Sequence, residues 1–202
     1  MIGKIIEKIV TPYGLLILSG IMLLIGRLVF KKKYLNCFQI IRMHFECFKN
    51  QNGKYSIISI GIYFGVPLLV AVSLVKIKEI DADVANMLTI IVSILTSMFF
   101  TLLTLILDMR KKVLDNKNYN ANNASISAKV LKETYYAIMF EILISIAILI
   151  MCFIELFSNE FSKYTSVIIY YLTFVLLMNL FMVLKRIFNV INNDLDIPDS
   201  SN

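Results

Sequence analysis

Five apolar runs, each about as long as a bilayer's hydrocarbon core is thick, leave this chain few ways to fold. They cover residues 13–30, 56–75, 85–107, 134–157 and 166–184. The expected fold class is all-α: a polytopic helical membrane protein with about five transmembrane helices, or four if the first lies in the interface. Composition agrees, since 58% of the 202 residues are hydrophobic and mean hydropathy is +0.77, against about 45–50% apolar in a soluble domain. Residues 1–192 read as a single helical membrane domain and residues 193–202 as a disordered polar tail. The first run follows Lys4 and Lys8 but enters Arg27 and Lys31, Lys32 and Lys33 with no small-residue cleavage site. It is expected to stay as an anchor rather than leave as a signal peptide.

Charge then sets the orientation. Six basic residues lie in 31–55, six in 108–133 and two more, Lys185 and Arg186, after the last run, placing 14 of the 20 on one side. The opposite connections hold Lys76, Lys78 and Lys163 beside Glu79, Asp81, Asp83 and Glu160. The expectation is a multi-pass protein of a bacterial inner membrane, N-terminus outside and C-terminus cytoplasmic. Topology thus accounts for the net charge of +6, and no direct nucleic-acid binding is expected.

No Walker, metalloprotease, hydrolase-elbow or Gly-rich phosphate motif occurs. Cys37, His44 and Cys47 invite a zinc reading, but on a helix Cys37 and His44 lie about 10 Å apart, too far to share one ion. The expectation is no metal, no cofactor, free thiols and no enzymatic activity.

Two connections have character of their own. In "YLNCFQIIRMHFECF", Tyr34, Phe38, Ile41, Phe45 and Phe48 share one helical face, as in an amphipathic helix lying in the headgroup layer on membrane lipid. The same face would serve equally to pack on the protein's own spans. Residues 115–127, "DNKNYNANNASIS", are Asn-rich without periodicity and read as a mobile linker between two projecting helices.

Inside the third run Thr89, Ser93, Thr96, Ser97, Thr101, Thr104 and Asp108 recur every three or four positions, within an arc of ~140° that also holds Asn86. In the fourth, Thr134, Ala137, Glu141, Ser145, Cys152 and Glu155 fall within ~80°. Either seam serves as packing glue, because small and hydroxyl residues mark where helices approach in lipid. Gly61 and Gly65 in the second run belong to the same vocabulary. Glu141 is harder to absorb: about 10 Å inside its run, it is a costly carboxylate that points to function. Asn179 lies about 9 Å from Lys185, so Glu141, Thr101 and Asn179 are expected to form one polar layer in the inner leaflet. Glu155, Glu79, Asp81 and Asp83 would draw cations to an outer mouth.

Three segments carry a resemblance: a hydroxyl-rich span ending in "LTLILDMRKK", re-entry through "LKETYYAIMFEILIS", and a last span closing with "FMVLKRIFNVI". Over roughly residues 85–195 the chain resembles small polytopic membrane proteins of bacterial anti-phage defence modules, of the RexB-like or KwaA-like kind. The match is one of architecture, without a diagnostic motif; the 31–55 segment and the additional N-terminal span depart from the Rex-like pattern. The resemblance implies a phage-sensing or membrane-depolarising subunit beside a cytoplasmic protein partner. The expected function is a homo-oligomeric, ion-permeable or sensing subunit; a membrane anchor recruiting a cytoplasmic effector and a small transporter are the alternatives.

Overall fold

The structure, a computed structural model, describes residues 37–49, 53–115, 121–157 and 162–195, with isolated positions between Leu15 and Ile25. The chain divides into two compact units, Met1–Gln39 and Ile40–Asn202. In the first, Leu15, residues 18–22 and Ile25 are helical; the rest of the expected 13–30 span lies outside the described residues.

The described chain is all-α, with α1 at Phe38–Glu46, α2 at Ile57–Ile77, α3 at Ala82–Asp115, α4 at Ala121–Glu155 and α5 at Lys163–Leu195. Helices α2 to α5 are each long and apolar enough to cross a membrane, so this is a multi-pass helical membrane protein. α3 and α4, at 34 and 35 residues, are about 50 Å long and outrun a hydrocarbon core of about 30 Å. Two sequence expectations are corrected at helix ends. α4 begins at Ala121, inside the stretch expected to be a mobile linker, and α5 runs to Leu195, into the expected tail. A long helix already nucleated in the bilayer extends at little cost, because each added residue brings its own hydrogen bond.

α4 is the centre of the bundle: it packs against α3 on one side and α5 on the other, and α2 packs against α5. Half of its span is buried, against 17% for α2 and α3. The face that α3 turns inward is a heptad row. Ala85, Val92, Phe99 and Ile106 are buried on it, with Leu88, Leu95, Leu102 and Met109 packed alongside. That 3.5-residue spacing suits two antiparallel helices crossing at a shallow angle.

Local chemistry sets the helix starts. The Ser56 side chain caps α2 by accepting from the Ser59 N–H, 3.4 Å, and Asp81 caps α3 by accepting from the Val84 N–H, 2.9 Å. The Lys78 ammonium, 2.9 Å from Asp81, and then the Val84 N–H hold the Asp81 carboxyl below its usual range. The α2–α3 turn is fastened to α5 rather than left loose. Ile80 is buried, its N–H donates to the Ser166 hydroxyl at 3.2 Å, and the Tyr170 hydroxyl donates to the Lys78 carbonyl at 3.4 Å. Ser166→Ala would orphan the buried Ile80 N–H. The expected cost is about 1–3 kcal/mol in unfolding of the detergent-solubilised protein; a loss of only a few tenths would show that the turn does not depend on this bond.

Candidate intramembrane polar site

The α4 seam lies where its pattern suggested, on the packed side. Thr134, Ala137, Glu141, Ser145 and Cys152 are fully buried, and Glu155 is 7% exposed at the far end. The α3 stripe does not face it. Ser93, Ser97, Thr101, Thr104 and Asp108 are exposed outside the bundle, while Thr89 and Thr96 sit half-buried at the edge, Thr89 beside the Cys152 thiol. The expected pairing of two polar seams is therefore corrected. At ~100° per residue the apolar heptad row occupies one side of α3, and Ser97, Thr101, Thr104 and Asp108 are carried to the opposite side.

The threonine hydroxyls need no polar neighbour. Thr89, Thr96, Thr101 and Thr104 donate to the carbonyls of Ala85, Val92, Ser97 and Thr101, at 2.8, 2.6, 3.2 and 2.7 Å. Asp108 pairs with Lys112 at 3.4 Å. Gly61 and Gly65 make no close contact among the described residues. A Cβ at either would meet only open space, so neither serves a contact within the described bundle.

Of the three residues expected in one layer, the structure brings Asn179 to the Glu141 face of α4 and leaves Thr101 on the exposed side of α3. Glu141 and Asn179 are both fully buried. The Asn179 amide lies beside the Glu141 carboxyl but directs its N–H at the Ala137 carbonyl, 3.3 Å away. Both Glu141 oxygens, the Asn179 Oδ1 and the Ser145 Oγ therefore have no hydrogen-bond partner in the protein. Tyr63 of α2 comes close enough for its hydroxyl to feel the Glu141 charge, and that hydroxyl too is buried and unpartnered. α4 thus supplies Glu141 and Ser145 and α5 supplies Asn179, with Tyr63 of α2 within electrostatic range.

At the basic end of the bundle the site is closed by α1. Phe45 stacks on Phe64 at 5.3 Å and Phe48 meets Tyr63 edge-on at 5.0 Å. Of the aromatic face read from the sequence, Phe45, Phe48 and Ile41 pack against the bundle, Phe38 is 60% exposed, and Tyr34 lies outside the described residues. The most buried member is one that sequence reasoning set aside, His44. Its ring is fully buried, stacks on Phe140 with centroids 3.9 Å apart, and leaves both nitrogens unpartnered. The signal was available, since His44 lies three residues from Ile41 and four from Phe48, at the edge of the apolar face. Burial first, and the Arg186 charge second, lower its pKa to about 3. Arg186, also overlooked, sits beside this cap with its side chain 14% exposed, one nitrogen 3.6 Å from Glu133 and another unpartnered.

Cys37, Cys47 and Cys152 are free thiols, and Cys47 donates weakly to the Met43 and Glu133 carbonyls. No group of three or more metal-ligating side chains occurs among the described residues. Comparison with protein-family models, curated proteins and solved structures finds no match to this chain.

Proposed function

We propose that the protein is a homo-oligomeric subunit of a bacterial phage-defence or abortive-infection module in the cytoplasmic membrane. It acts there as an ion-permeable or sensing component beside a cytoplasmic partner. The observation that carries this reading is Glu141, a carboxylate fully buried in the centre of a membrane bundle with neither oxygen hydrogen-bonded. Such a group is too costly to keep as glue when Gln would pack the same volume. The positive-inside rule puts the basic end, with α1 and the projecting parts of α3 and α4, in the cytoplasm. Because the polar stripe of α3 points out of the protomer, a conducting path would run between protomers, with Ser93, Ser97, Thr101 and Thr104 on its wall. The resemblance to anti-phage membrane subunits supports the setting.

Membrane potential reported by a voltage-sensitive dye, in cells expressing the protein with its genomic neighbour, tests the role of Glu141. Glu141→Gln is expected to abolish or strongly reduce triggered depolarisation at unchanged membrane abundance. Depolarisation equal to the parent's removes Glu141 from the mechanism.

A second reading, a membrane anchor for a cytoplasmic effector, has its own support. α3 and α4 project roughly 20 Å past the hydrocarbon core, and Lys111, Lys112, Lys129 and Lys132 are exposed there. Reversing those four charges would abolish co-purification of the effector if the anchor reading holds, with Glu141→Gln then silent.

A further inference from the structure

Glu141 and Ser145 lie one turn apart on the buried face of α4, and Asn179 of α5 is bonded to that face one turn earlier, at the Ala137 carbonyl. With Tyr63 of α2, within electrostatic range of Glu141, they hold five buried side-chain oxygens that have no hydrogen-bond partner among the described residues. Random arrangement does not give this; buried polar groups are hydrogen-bonded in the great majority of cases, and exceptions call for an occupant. Glu141 also has no cationic partner: among the described residues no Lys or Arg pairs with it, and Arg186, the nearest candidate by position, is engaged with Glu133 at the bundle's basic end. A lone carboxyl group in a dry interior stays ionised only with a compensating positive charge beside it.

We propose that these four side chains form a binding site for a single monovalent alkali cation. This rests on Glu141 being the ion-responsive group and names its ligand. Oxygen-only donors select a hard ion over the transition metals, which take nitrogen or sulfur. One carboxylate balances one positive charge; a divalent ion would leave the bundle with a net charge, and Ca²⁺ takes six to eight oxygens. The two carboxylate oxygens supply the charge. The Asn179 Oδ1, Ser145 Oγ and Tyr63 Oη would supply neutral dipoles, and the Asn179 N–H remains on Ala137 to hold that side chain in place.

The test uses the purified full chain in detergent, in alkali chloride or in N-methylglucamine chloride at the same ionic strength and at alkaline pH. Thermal unfolding is expected to shift upward and saturably with at least one of Li⁺, Na⁺ and K⁺, not with N-methylglucamine, and the shift is expected to vanish in Glu141→Gln. Ser145→Ala is expected to keep the shift but move its midpoint about fivefold higher in cation, the scale of one lost neutral ligand. A carbodiimide, which modifies only protonated carboxyl groups, is expected to label Glu141 in N-methylglucamine and about tenfold less in the preferred alkali cation at ten times its Kd. No cation-specific shift, an equal shift in Glu141→Gln, or labelling indifferent to alkali cation overturns the proposal. The last pattern would identify a group that binds protons alone, and it leaves a role for Glu141 in depolarisation standing.

Discussion

Phe99→Ala is expected to destabilise the bundle by about 2 kcal/mol, and the same change one residue later to cost almost nothing. Phe99 is fully buried in the α3 heptad row, whereas Phe100 is 53% exposed. In water, part of the cost of losing a buried Phe is the return of apolar surface to solvent. In a bilayer that part largely disappears, because lipid tails are as apolar as the helix interface. What remains is the cavity: roughly 100 Å³ of lost side chain at ~24 cal/mol per Å³ gives about 2 kcal/mol. At Phe100 the lost volume is refilled by lipid or detergent, and the expected change is within about 0.5 kcal/mol. Unfolding titrations of the two variants in mixed micelles measure both. Equal losses would mean that the inward face of α3 is not the heptad row, and the outward placement of its hydroxyls would fall with it.

That pair of phenylalanines also shows why part of the fold was legible and part was not. Hydropathy found α2 to α5, since length and apolarity are what a bilayer demands of a helix. The α4 seam was legible because Glu141 is expensive in lipid, so its face had to turn inward along with Ser145 and Cys152. On α3 the same reasoning misled. Its threonine hydroxyls are satisfied by their own helix and cost little facing outward, and Phe99 and Phe100 look alike to any scale of hydrophobicity. When both faces of a helix tolerate lipid, contrast in polarity no longer reports which one packs. The spacing of seven between Ala85, Val92, Phe99 and Ile106 did hold that information. Asn179 was found by its depth, and Thr101 was misplaced by the same argument, because depth says nothing about azimuth.

Docking of α1 is expected to weaken as pH falls below about 6.5. His44 has its ring buried and unpartnered, and its pKa is lowered from 6.5 to about 3. The groups around it are Arg186 on α5, Glu133 on α4, Tyr63 on α2, and Glu46 and Cys47 on its own segment. A histidine with a depressed pKa in the docked state takes up its proton more readily once undocked. Above 6.5 both states are neutral and docking has its full stability. Between 6.5 and 3 only the undocked state is protonated, so docking loses about 1.4 kcal/mol per unit, on the order of 3 kcal/mol by two units below 6.5. Below about 3 both states carry the proton and the loss levels off. His44→Phe keeps an aromatic ring against Phe140 and removes the imidazole, so the difference between the two proteins isolates its titration. Backbone hydrogen exchange across residues 40–49, corrected for the intrinsic pH dependence, measures it. Protection is expected to fall in the parent and to hold in His44→Phe. Parallel profiles in the two would show that the imidazole is not what ties α1 to the bundle, and the cap over the Glu141 site would then rest on Phe45 and Phe48 alone.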